Sequence, residues 1–115
     1  MTIVLLSGDL LIVSRVSGAA AQQGLAFKSA ATAEQATELC RAHAARILIV
    51  DLSTPSLDVA DLVAGVKNGD DNPPTIVAFG PHVHEKRLAA ARDAGCDRVV
   101  SRGQFMSQLE SLLQL

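Results

Sequence analysis

The chain has 115 residues, the size of one domain, with ten Lys and Arg against twelve Asp and Glu. Its net charge is −2 and its basic residues are scattered, which argues against nucleic acid as a partner. Hydrophobic residues make up 49% but aromatics only 3%, with no Trp or Tyr, so Val, Leu, Ile and Ala must fill the core. That composition suits a buried parallel sheet under alanine-rich helices and disfavours a flavin site, which stacks on aromatic rings.

In chain order, Thr2 to Leu6 is a β-branched and aliphatic run that stops at Ser7-Gly8, a strand buried on both faces. Asp9 can cap the helix that follows, with Leu10, Val13, Val16 and Ala20 inward at helical spacing until Gly24 closes it. The apolar start lacks a basic leader and is interrupted by Ser7, Gly8 and Asp9, so it reads as structure, not as a signal peptide. Leu25 to Ser29 is a weaker strand. Thr32 and Gln35 form a capping-box pattern for a helix through about Ala45, with Ala36, Leu39, Cys40 and His43 among its apolar positions.

Arg46 to Val50 is the strongest strand, ending at Asp51 before the turn-prone Ser53-Thr54-Pro55-Ser56. Asp58 starts a third helix with Val59, Leu62, Val63 and Val66 inward. Thr75 to Phe79 is a fourth strand, broken by Gly80-Pro81. A helix from about His84 to Ala94 follows, with Leu88 and Ala91 on one face, and Gly95 ends it. Val99 to Ser101 is the fifth strand, and Phe105, Leu109, Leu112 and Leu113 form the stripe of one closing amphipathic helix.

Five strands alternating with five helices predict an α/β, doubly wound parallel sheet filling residues 1–115 as a single domain. In such sheets the ligand crevice lies at the carboxyl ends of the strands, which singles out Ser7, Gly8, Asp9, Asp51, Phe79, Gly80 and Arg102. No apolar run approaches the roughly 20 residues that cross a bilayer. Cys40 and Cys96 have neither zinc-pair spacing nor disulfide density, so reduced thiols and a cytoplasmic location are expected.

At these residues the sequence resembles the receiver domains of two-component response regulators along its whole length. Asp51, after Ile47-Leu48-Ile49-Val50 and before Leu52-Ser53-Thr54-Pro55, matches the phosphoacceptor strand and its trailing proline. Ala94-Gly95-Cys96-Asp97 before Val99-Val100 resembles the family's Ala-Gly-Ala turn into strand five. The resemblance implies the flavodoxin-like receiver fold with strand order 2-1-3-4-5. It also implies a phosphorelay role and a pocket where acids hold Mg²⁺ beside the phosphoacceptor.

The departures define a degenerate, pseudo-receiver-like member. Ser7 and Gly8 stand where the family has its two metal-binding acids, leaving Asp9 as the first acid. Phe79 stands for the hydroxyl residue after strand four, Arg102 for the Lys after strand five, Gly103 for its Pro, and Val99 for the switching aromatic. Only Asp51 matches the reactive chemistry unaltered.

Acyl-phosphate formation is a problem of positioning and charge stabilisation, and Mg²⁺ asks for near-octahedral oxygen ligation. Asp9 and Asp51 are the available metal ligands, a weak Mg²⁺ site, with Asp9 expected chiefly as the helix cap, worth about 1 kcal/mol. Arg102 is expected to form a static pair with Asp51, with a bidentate phosphate clamp as the other reading. A phenyl ring at 79 can neither donate nor accept the switching hydrogen bond.

His82 and His84 read as pH-responsive loop residues and not as metal ligands. Cys96, beside Asp97, is a poor nucleophile. Ser7-Gly8 continues into neither a Walker pattern nor G-x-G-x-x-G.

The expected function is a stand-alone receiver-like signalling module, not an enzyme, that requires no cofactor and acts through protein–protein interaction. Its partner would be a histidine kinase, a downstream effector or a second copy of the chain. The face of helix four, strand five and helix five, with Lys86, Arg87, Arg98 and Gln108, is the expected interface. Two alternatives are an active regulator phosphorylated on Asp51 with Mg²⁺, and a small-molecule or nucleotide-binding α/β domain beside Gly8 and Gly80.

Overall fold

The structure, a computed structural model, describes residues 1–115. Five short strands, β1 (Thr2–Leu6), β2 (Ala26–Ala30), β3 (Ile47–Asp51), β4 (Thr75–Gly80) and β5 (Arg98–Ser101), form one parallel sheet in the order β2-β1-β3-β4-β5. The helices are α1 (Leu10–Gln22), α2 (Ala33–Ala42), α3 (Val59–Lys67), α4 (Glu85–Ala94), α5 (Arg102–Ser107) and α6 (Leu109–Leu112). This is the flavodoxin-like receiver arrangement. No helix is long and apolar enough to cross a membrane.

Residue alternation along the strands sorts the core into two layers. Val4, Leu6, Leu48, Val50, Ile76 and Ala78 pack against α2, α3 and α4 through Ala36, Cys40, Leu62, Val63, Leu88 and Ala91. Ile3, Leu5, Ile47, Ile49, Val77 and Phe79 point the other way, against Ile12, Val16 and Ala20 of α1 and Phe105, Leu109 and Leu112 of α5 and α6. All five β3 residues are buried, as the central strand of a sheet covered on both faces must be.

Several local expectations are corrected. In α1 the inward residues are Ile12, Val16 and Ala20, while Leu10 is 82% exposed. Leu10 is the first residue after the Asp9 cap, and the half-buried Val13 packs beside the inward three. α2 ends three residues early: Ala44 takes a left-handed conformation (φ 47°), and the Ala45 N–H donates back to the Cys40 carbonyl at 3.0 Å. His43 is therefore an exposed helix terminus and not a core position.

The single closing helix is two helices, making six in all. The Ser107 hydroxyl donates to the Gln104 carbonyl, competing with the helical ladder, and Gln108 sits at φ −109° between α5 and α6. The apolar stripe nonetheless survives, since Phe105, Leu109, Leu112 and Leu113 are all buried.

The turn into β5 has a clear physical basis. Gly95, at φ 98°, ends α4 in a left-handed conformation, and the Cys96 N–H returns to the Ala91 carbonyl. Asp97 then accepts the Ile76 N–H at 2.8 Å, tying the turn to β4.

Candidate functional site

Chain topology reverses between β1 and β3, and their carboxyl ends lie side by side, with Leu6 opposite Val50. The next residue on each strand is therefore Ser7 and Asp51, and both are buried at 4% exposure. The Ser7 hydroxyl donates to Asp51 Oδ2 at 2.7 Å. The second carboxylate oxygen, Oδ1, accepts the Ser53 N–H at 2.9 Å as the chain turns out of β3. The Asp51 carbonyl receives the Thr54 N–H and hydroxyl, so the loop folds back over its own acid. No buried side-chain polar atom in the molecule lacks a partner.

Ser7 also links outward. Its Oγ accepts the Asp9 N–H at 3.1 Å. Asp9 caps α1 through Oδ1, which accepts the N–H groups of Leu11 (2.9 Å) and Ile12 (3.4 Å). Its Oδ2 meets the Arg102 guanidinium at 2.9 Å in the molecule's one salt bridge, both side chains being about one-third exposed. The guanidinium, helped by the two cap N–H groups, holds the Asp9 carboxyl below the ordinary aspartate range.

The expected static pair between Arg102 and Asp51 is thus corrected: Arg102, the first residue of α5, reaches Asp9 instead. Asp51 lies deeper, at 4% exposure, and draws its donors from the serine and the backbone of the strand ends beside it.

Phe79 lies opposite Asp51 across β3 and β4 and is fully buried. Its ring stacks on Phe105 at a centroid distance of 4.1 Å and an interplanar angle of 10°. Phe79 is therefore part of the core under α5. Gly80 is likewise a packing residue: a Cβ there would stand 3.3 Å from Leu52 Cβ. Its absence lets Leu52 close against β4, where the Leu52 N–H donates to the Phe79 carbonyl. Gly8 is exposed, with open space where a Cβ would be.

A magnesium ion needs carboxylate oxygens turned toward it with room for water. Here the four oxygens of Asp9 and Asp51 each already accept a hydrogen bond, and a fixed cation lies against Asp9. A family-type metal centre does not fit this arrangement. No three His, Cys, Asp or Glu side chains converge anywhere in the chain, so His82 and His84 complete no ligand set. Burial pushes the Cys40 thiol up to about 11 and raises Cys96 as well, where Asp97 adds to the effect and Lys67 opposes it.

Lys86, Arg87 and Arg98 are exposed. Gln108, at the joint of α5 and α6, lines a groove against Ser14, Arg15 and Gly18 of α1. Sequence reasoning placed Ser7 in the crevice, in the position of a lost acid, but missed its hydrogen bond to Asp51. The signal was there in its place one residue past a strand that pairs with the strand of Asp51. It missed the Phe79–Phe105 stack too, although Phe105 was assigned to the apolar stripe.

No protein-family model matches the chain, and no curated protein matches it in sequence. Solved structures match in fold. A response-regulator signal receiver domain from Bermanella marisrubri superposes with a TM-score of 0.84 at 18% identity, covering 98% of this chain and 94% of that one. A CheY-like protein, TadZ, from Pseudomonas aeruginosa gives 0.76 at 22% identity, covering 99% and 97%. The receiver domain of a P. aeruginosa sensor histidine kinase, solved with a magnesium ion coordinated in its active-site cleft, gives 0.81 at 16% identity, covering 98% and 93%. With near-complete coverage in both directions, the same sheet order and Asp51 at the end of β3, the chain has the fold of response-regulator receiver domains.

Proposed function

We propose that the chain is a receiver-like signalling module of the two-component type that works as a pseudo-receiver, binding a protein partner without phosphorylation of Asp51 and without catalysing a reaction. One observation carries the reading: Asp51 is buried at 4% exposure with both carboxylate oxygens held, by Ser7 and by the Ser53 N–H. Each oxygen keeps a second lone pair, but to attack phosphorus the buried carboxylate must open its donor-held place and admit a phosphoryl group bearing its own negative oxygens. The nearest ion pair consumes Arg102 on Asp9, and the position that would hydrogen-bond the phosphoryl group holds a stacked phenyl ring. The cost of phosphorylation therefore rises at each of the places where a receiver lowers it.

The second reading, an active regulator that uses Mg²⁺ with Asp51, is favoured by the magnesium-bound receiver domain among the structural neighbours. Intact mass after incubation with Mg²⁺ and a small acyl-phosphate donor separates the two, with Asp51→Asn as control. An unchanged mass is expected. A single phosphoryl adduct that disappears in Asp51→Asn establishes the active regulator and sinks the pseudo-receiver.

A further inference from the structure

We propose that the cleft between the β3–α3 loop and α4 docks an acidic side chain of a protein partner. The cleft has a volume of about 250 Å³. Its lining includes Leu52 and Ser53, the two residues that follow Asp51, and neither Asp9 nor Arg102. It rests on the reading that this chain acts through a protein interface, and it names the chemistry of that interface.

The polar lining is one-signed. Arg87 is the only charged residue in the cleft wall, and no Asp or Glu lines it. The Arg87 side chain is exposed on α4 and takes no part in the one salt bridge, so its fork of N–H donors is available. Facing it, the hydroxyls of Ser53 and Ser56 make no hydrogen bond inside the molecule. The Ser56 N–H, in the loop between β3 and α3, has no backbone acceptor. Ser56 is held at φ 60°, a left-handed conformation that a serine adopts only at a cost, and such residues recur where a loop is shaped for a ligand.

The rest of the wall decides between a free anion and a peptide. Leu57, Val59 and Ala90 give the cleft an apolar side about equal to its polar one. A bare phosphate would leave that side against water, whereas an aspartate or glutamate flanked by aliphatic residues meets both halves. A single cation is too little for a nucleic-acid backbone, which is bound by many.

The test is an amide chemical-shift titration of the ¹⁵N-labelled full chain. The probe is a capped pentapeptide with one aspartate between two leucines, and the control is the same peptide with asparagine in its place. Saturable shifts are expected at residues 53–59 and 87–90, with the asparagine peptide about tenfold weaker, the loss of a charge-assisted bond. Arg87→Gln, at an exposed helix position, and Ser56→Asp, whose new carboxylate tolerates positive φ and repels the ligand, are each expected to abolish the preference for aspartate at an unchanged melting temperature.

Equal binding of the two peptides, shifts confined to other surfaces, or inorganic phosphate saturating these amides where the aspartate peptide does not, would each overturn the proposal. The intact-mass experiment is independent of this cleft, so loss of the docking site and loss of the pseudo-receiver reading are told apart.

Discussion

Ser7→Ala tests the interaction on which the functional reading stands. The substitution removes a 2.7 Å hydrogen bond to a buried carboxylate and a 3.1 Å bond from the Asp9 N–H. A hydrogen bond to a charged group contributes roughly 1.5–3 kcal/mol, and losing the donor leaves the acceptor uncompensated. The Asp9 N–H is less costly to orphan, because Asp9 is one-third exposed and water can replace the serine. A destabilisation of about 2–3 kcal/mol is therefore expected near neutral pH.

With an unfolding entropy of roughly 2.1 cal/mol/K per residue over the 115 residues, each kcal/mol lowers the melting temperature by about 4 °C. The expected drop is thus on the order of 8–12 °C, read by calorimetry or urea titration. A cycle with Asp51→Ala isolates the pair, and a coupling of at least about 1 kcal/mol is expected for two buried side chains in direct contact. Wild-type stability in Ser7→Ala, or strict additivity in the double mutant, refutes the claim that Ser7 holds Asp51 in place.

Phe79→Thr restores a receiver-type hydroxyl but empties the space against Phe105; a loss of roughly 3–5 kcal/mol, the range for truncating a buried phenyl, is expected in urea unfolding. Arg102→Ala frees Asp9, so the Asp9 pKa, followed by carboxyl NMR, is expected to rise toward the ordinary 3.8. Because Arg102 depresses that pKa in the folded chain, its stabilisation is present above the unfolded value and is lost as pH falls through the folded one. The fall in stability below about pH 4 should therefore be shallower in the variant. Cys40, 5% exposed with its thiol pushed up to about 11, should resist a disulfide reagent at pH 8 until the chain unfolds, while the half-buried Cys96 reacts first.

Much of the fold is legible in local pattern. A fully buried β3 needs apolar residues at every position, and Ile47-Leu48-Ile49-Val50 supplies them without alternation. Asp9, Thr32 and Asp58 cap their helices through side-chain oxygens as their positions before apolar-periodic runs imply, and Gly95 ends α4 because only glycine enters that conformation freely. Periodicity was a poorer guide at helix ends. It placed Leu10 inward, ran α2 past Ala42 and joined α5 to α6, because each of those ends depends on how a turn of backbone is satisfied by its neighbours.

The place of Asp51 was visible for the same reason as the strand: an acid directly after four buried aliphatics marks the end of a central strand. What that acid touches was not visible. Ser7 and Asp51 are 44 residues apart, and Asp9 and Arg102 are 93 apart, so each pair exists only through the parallel register of β1, β3, β4 and β5. Arg102 meets the one-third-exposed Asp9 and not the buried Asp51, a difference in burial that no spacing rule encodes. Sequence alone determined the five strands, the first four helices and that Asp51 closes the central strand. Tertiary packing decided that a serine guards it, that the more exposed Asp9 takes the arginine, and that Phe79 belongs to the core.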